Sequence, residues 1–310
     1  MHLGSKNKQI QKKALAFAFL LLTALAFPLP CNCTSKDSDE GVPSVNGPLR
    51  QSQTVRLSFE SAYMGIKVPF MVYLPKGYGD GEKYPVWYGL HGYSSSENMW
   101  LQTAGVGRTA DEMIERGEIR PLIMVFPLTR YDPAKAIRED LKDGKRDASQ
   151  MERFLCGELI PYVDSHYNTI QLPDGRYIGG FSMGGYFALE IAFRHPDLFS
   201  KVGGYSPALM YGDFSGGQLE KWLYPDNNAE EIFETADFIM DKGLDKLQVY
   251  IDCGSVNEPF SDGAQSLYGI LQKLGISVEF HMHEGGHSLQ LGKMEEYLLF
   301  FSGMEHAHMP

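Results

Sequence analysis

Between Arg176 and Phe193 the hydrophobic pattern changes period within a few residues. The short run Arg176-Tyr177-Ile178-Gly179-Gly180-Phe181 ends in Ser182-Met183-Gly184-Gly185, and Tyr186 to Phe193 continues at helical spacing. A strand passes that abruptly into a helix only through a turn too tight for side chains on either side of the serine. The glycines of Gly180-Phe181-Ser182-Met183-Gly184 permit such a turn. With a strand before it and a helix after it, the turn commits this stretch to a layered α/β architecture.

The rest of the chain has the same rhythm. Thr54 to Phe59 and Val68 to Leu74 read as an antiparallel strand pair with Gly65 near the turn, and Tyr84 to Leu90 reads as a third strand ending in His91-Gly92-Tyr93. Leu122 to Phe126 is a continuous apolar run of the kind found in strands covered on both faces. Val202 to Tyr205, Leu247 to Ile251 and Val278 to His283 are further strands. Helical periods span Ala104 to Arg116, Met151 to Tyr167, Gly263 to Leu274 and Gly292 to Phe301. The expected fold class is therefore α/β, with a mostly parallel sheet covered by helices on both faces. Residues 210–243 form a polar, aromatic-dotted excursion expected to be helical.

Before this domain the chain has a different character. Lys6, Lys8, Lys12 and Lys13 precede an apolar run of 14 residues, Ala14 to Phe27, too short to span a bilayer comfortably. Ala24-Leu25-Ala26 offers a small-x-small cleavage pattern, so residues 1–26 read as a secretory signal, with lipidation at Cys31 as an alternative route to the cell surface. The Ser-, Asp-, Gly- and Pro-rich residues 27–52 read as a flexible tether, and 53–303 as one catalytic domain. A net charge of −11 argues against nucleic acid as a partner, because phosphate binding needs a basic surface.

The glycine-flanked turn makes Ser182 a candidate nucleophile. The bare pattern would arise about 0.25 times by chance in a chain of this composition, so its weight comes from the strand before it and the helix after it. A serine hydroxyl needs a base, and His287 in Gly285-Gly286-His287-Ser288 follows the last strand, as the chain order serine, acid, histidine requires. The acid is expected after the strand Leu247 to Ile251. Glu258 is favoured by its loop position, with Asp262 and Asp252 as alternatives. The amides of Met183 and Tyr93 are the expected oxyanion donors, and His91 reads as structural. Trp100, Tyr211, Trp222 and Tyr224 are candidates for stacking on a substrate ring, against the plainer reading that they pack internally. His281, His283 and His287 imitate a metal cluster, but no motif of ligand spacing accompanies them, so neither metal nor organic cofactor is expected. Cys156 and Cys253 read as buried thiols; a disulfide between them would need Cα atoms within about 7 Å.

Taken together, Val72 to Tyr78, Tyr84-Pro85 leading into Leu90-His91-Gly92, Glu158-Leu159-Ile160-Pro161-Tyr162, Gly180 to Gly185 and Gly286-His287 resemble a family of α/β-hydrolase esterases. That family includes esterase D-like enzymes, feruloyl and acetyl xylan esterases, siderophore esterases and mycolyltransferases. The likeness covers Gln53 to Phe301. It implies an α/β-hydrolase fold and a serine carboxylic ester hydrolase with Ser182 as nucleophile and His287 as base, acting on esters such as feruloyl or acetyl groups of polysaccharides; the expected export signal argues that this ester is extracellular. A siderophore lactone esterase, an acyltransferase using the same residues, and a non-catalytic surface-binding protein are the rival readings. Many relatives carry an aspartate three residues after the glycine matching Gly254; this chain departs from that pattern with Asn257, and the neighbouring Glu258 is the candidate beside it.

Overall fold

The computed structural model describes residues 47–129, 150–210, 214, 219, 240 and 242–304. The expected leader, nearly all of the tether and most of the 210–243 excursion lie outside the described residues. The last of the tether is fixed to the domain: the Leu49 amide donates to the Tyr78 carbonyl at 2.9 Å, and the Ser52 hydroxyl to Asp111 at 2.7 Å. The folded unit thus begins before residue 53, because backbone pairing anchors a segment whose composition is polar.

Eight strands form one sheet in the order β1-β2-β4-β3-β5-β6-β7-β8. They are β1 (Gln53–Ser61), β2 (Ile66–Leu74), β3 (Val86–Leu90), β4 (Ile123–Pro127), β5 (Arg176–Phe181), β6 (Lys201–Tyr205), β7 (Gln248–Gly254) and β8 (Ser277–His283). β1 with β2 and β2 with β4 are antiparallel, and every pairing from β4 to β8 is parallel. All residues of β3 and β4 are buried, as unbroken apolar runs require when helices cover both faces. Two hydrophobic clusters lie on opposite faces, one around Phe154, Leu189 and Val249, the other around Trp87, Trp100 and Tyr297. Each fully buried large side chain there stabilises the fold by roughly 1.5–3 kcal/mol relative to exposure.

The helical period over Met151 to Tyr167 is interrupted. Helices Gln150–Phe154 and Ile160–His166 flank a π-helical turn, Leu155–Leu159, in which the Ile160 amide reaches back to the Leu155 carbonyl. Pro161 has no amide to continue the ordinary ladder, so the chain takes the wider turn one residue earlier. Glu158, within that turn, accepts from the Ser61 hydroxyl and, at 2.8 Å, from the Ala62 amide, clamping the β1–β2 hairpin onto the helix.

β3 lies between β4 and β5. From β3 the chain steps to one side and from β5 to the other, so the loops leaving their carboxyl ends diverge. In open α/β sheets that divergence is where ligands bind. His91-Gly92-Tyr93 follows β3, and Ser182 follows β5.

Candidate active site

Ser182 sits at the apex between β5 and the helix Met183–Arg194 with φ 55° and ψ −118°. For a residue with a Cβ this costs on the order of 1–3 kcal/mol, so the surroundings must hold it. They do so through the backbone: the Ser182 amide donates to the Tyr205 carbonyl at 3.0 Å, and its carbonyl accepts from Tyr186 at 3.0 Å and Ala208 at 2.9 Å. A Cβ on Gly180 would overlap the backbone of Gly184, and one on Gly184 would overlap the carbonyls of Leu90 and His91. These glycines therefore let the elbow close on itself and let the loop after β3 press against the start of the helix.

The last strands bring two loops to the same place. The Ser255 amide donates to the His283 carbonyl at 2.9 Å and Val256 to Gly285 at 3.0 Å, joining the loop after β7 to the loop after β8. From these loops Glu258 and His287 meet: His287 Nδ1 is 3.0 and 3.1 Å from the two carboxylate oxygens, and His287 Nε2 is 2.7 Å from Ser182 Oγ. A carboxylate only accepts, so Nδ1 carries the proton and Nε2 presents its lone pair to the serine hydroxyl. The Glu258 side chain has no exposed surface, while that of His287 is 26% exposed. Its Oε1 also accepts from the Phe260 amide at 3.2 Å. Asn257 takes φ 56°, a left-handed conformation asparagine tolerates, and the carboxylate that enters the site comes from the next position.

The other acids considered go elsewhere. Asp252 is buried, accepts from the Tyr297 hydroxyl and, at 3.0 Å, from the Ser206 amide, and burial raises its pKa above the ordinary carboxylate range. Asp262 is exposed in the first turn of the helix Ser261–Lys273. The three late histidines have separate partners: His281 lies against Glu279 and Glu296, His283 faces the Ser206 hydroxyl at 3.5 Å, and His287 faces Ser182. Cys156 and Cys253 are free thiols with no bridge between them, pushed up to about 12 and about 11 chiefly by burial.

Met183 opens the elbow helix, where an amide has no intrahelical acceptor. The Tyr93 amide stands on the loop pressed against that turn. Among the described residues neither amide donates to a protein acceptor.

The stacking role expected of Trp100 does not fit its position. Its ring is fully buried, edge-on to Trp87 at 5.1 Å and to Tyr205 at 5.7 Å, so no face is open to a substrate. Tyr211, Trp222 and Tyr224 lie outside the described residues. Sequence reasoning missed Phe181 and Phe260, which enclose the imidazole of His287: Phe181 stacks on it at 5.2 Å and Phe260 meets it edge-on at 4.9 Å. Phe181 was findable, since it immediately precedes the serine in the elbow.

A family model described as "Putative esterase" matches residues 61–288, more than half of the chain. A curated relative, "Endo-1,4-beta-xylanase/feruloyl esterase" of Xylanibacter ruminicola, is 29% identical over 238 residues, covering 74% of this chain and 28% of that protein. The chain thus spans little more than a quarter of that relative's length. Among solved structures, a ferulic acid esterase matches with TM-score 0.64 at 24% identity, covering 82% of this chain and 98% of that one. The feruloyl esterase module from Clostridium thermocellum, complexed with sinapinate, matches with TM-score 0.63 at 20% identity over 86% and 93%.

Proposed function

The chain belongs to the "Putative esterase" family and has the α/β-hydrolase fold, and from that premise we propose that it is an exported serine carboxylic ester hydrolase acting on acyl esters of polysaccharides, feruloyl esters foremost. The observation that carries the reading is the unbroken line of hydrogen bonds from Glu258 through His287 to Ser182 Oγ.

His287 Nε2 takes the hydroxyl proton as Ser182 Oγ attacks the ester carbonyl carbon. The negative charge that develops on the carbonyl oxygen is held by the Met183 and Tyr93 amides, fixed donors that need no reorganisation during the reaction. The imidazolium, stabilised by Glu258, then returns its proton to the departing alkoxide as the C–O bond breaks. Water, deprotonated by His287 in turn, displaces the acyl group from Ser182 and regenerates the enzyme.

The substrate class is supported by the relatives: the Xylanibacter protein's name pairs a xylanase with a feruloyl esterase, and the Clostridium module was solved with sinapinate. The test is release of free hydroxycinnamic acid from feruloylated xylan fragments, compared with acetylated xylan and a catecholate lactone under identical conditions. The reading expects feruloyl release to lead and to vanish in Ser182→Ala; equal or greater turnover of the lactone would move the substrate assignment to siderophores. Adding free sugar and finding transferred acyl groups in place of free acid would make the enzyme an acyltransferase.

A further inference from the structure

The ring of His91 grips the peptide unit next to it. Nδ1 lies 2.8 Å from the Gly92 carbonyl oxygen, and Nε2 lies 2.8 Å from the Thr129 amide nitrogen. An amide can only donate, so Nε2 is the bare nitrogen and Nδ1–H donates to Gly92. Burial lowers the pKa of His91 and keeps the ring in the neutral form this pair of bonds requires. Thr129 stands just beyond β4, the neighbour of β3, so the ring braces the loop after β3 against the adjoining strand.

The Gly92 carbonyl and the Tyr93 N–H belong to one planar peptide, and the described residues contain no cis bond. In a trans peptide the two groups point in opposite directions, so fixing one fixes the other. The Ser95 amide also donates to the Gly92 carbonyl, at 3.2 Å, from the same side of that peptide. The Tyr93 N–H is thereby turned away from His91 and from the loop's own turn.

We propose that His91 is a positioning residue for the reaction: by holding the Gly92 carbonyl, it aims the Tyr93 amide at the oxyanion of the acyl-transfer intermediates. This rests on the esterase reading of the site and adds a residue that reading does not use. His91 does not touch the substrate and passes no proton; its effect is on a dipole two atoms away. Ordering that dipole in advance is what makes an oxyanion donor worth more in the protein than in water.

Two substitutions separate this role from plain packing. His91→Asn puts a donor nitrogen near the place of Nδ1 but cannot reach Thr129. His91→Gln reaches toward Thr129 with an acceptor but offers nothing to Gly92. Steady-state hydrolysis of 4-nitrophenyl acetate and thermal melting are measured for both, with Ser182→Ala in parallel. The expected result is a fall in kcat of roughly tenfold or more for His91→Gln with KM within about twofold, below the roughly 100- to 1,000-fold cost of deleting a donor. His91→Asn should keep at least about five times the kcat of His91→Gln, whatever the order of their melting temperatures. Wild-type kcat in His91→Gln, or losses in both variants that simply follow melting temperature, would overturn the positioning role while leaving the esterase intact. An active Ser182→Ala would overturn both.

Discussion

Phe181 and His287 lie ring on ring, with centroids 5.2 Å apart and planes 24° from parallel. A Cβ placed on Gly92 would come 2.9 Å from the same phenyl ring. Phe181, the residue before Ser182, therefore touches both His287, the proposed base, and the loop that carries Tyr93, the second proposed oxyanion donor. Replacing the ring in Phe181→Leu should leave the fold intact and lower kcat roughly 3- to 10-fold with little change in KM, the scale of one aromatic pair worth about 0.5–1.5 kcal/mol. Steady-state kinetics on a chromogenic ester checks it, and a change confined to KM would count against a role in holding the imidazole.

Glu258 is the proposed acid, with both carboxylate oxygens against His287 Nδ1. Glu258→Gln should cut kcat by about a thousandfold or more, since an acid that orients and stabilises the imidazolium is worth that much in related triads. Asp262→Asn should stay within about twofold of wild type, because surface substitutions away from a site are usually small. A reversed order of effects would place the acid elsewhere.

Much of this site was legible in the sequence because its logic is local. The elbow announces itself through glycines flanking Ser182, and His287 through its position after the last strand. Glu258 was favoured by the loop it occupies, with Asp262 and Asp252 left open, and the fold brings both of its oxygens against His287 Nδ1. Depth was not legible. Trp100 has the composition of a substrate-binding aromatic, but nothing in a residue's neighbours along the chain says that β3 and β4 enclose it. The π-helical turn at Leu155–Leu159 was hidden for a related reason: its residues keep a helical apolar period, and the disturbance comes from one missing amide at Pro161.

Trp100 thus serves as a test of packing against recognition. Trp100→Ala should destabilise the fold by about 3–5 kcal/mol, and Trp100→Phe by less. Whatever fraction remains folded should show an unchanged KM. Thermal or denaturant unfolding gives the first number and kinetics below the transition the second; a raised KM in a fully stable variant would restore the stacking role.

Glycine at 184 is required by contact with the loop after β3. Gly184→Ala drives a methyl group into the Leu90 and His91 carbonyls, so either the elbow or that loop must move. Overpacking of this kind costs about 1–3 kcal/mol, and here it would also shift the Met183 and Tyr93 amides proposed as oxyanion donors. Loss of kcat beyond what the melting temperature accounts for is the expected signature, and full activity would show that the loop yields freely.

Asp252 gives a pH dependence whose sign can be worked out. Burial raises its folded pKa above the unfolded value, so the folded state holds this proton longer. Its favourable contribution is complete below the unfolded pKa and is lost as pH rises through the folded one. The stability advantage of wild type over Asp252→Asn should therefore shrink as pH is raised from about 4 toward neutrality. Unfolding curves of both proteins across that range check it; an advantage that widens with pH would mean that the hydrogen bonds from Ser206 and Tyr297 outweigh burial.

Every step of the proposed reaction depends on Ser182 acting as the nucleophile. A fluorophosphonate probe, followed by digestion and mass analysis of the labelled peptide, reads this directly. The adduct should fall on Ser182 alone, and Ser182→Ala should lose both the label and ester turnover. Undiminished turnover in an unlabelled protein, or an adduct on another residue, would contradict it.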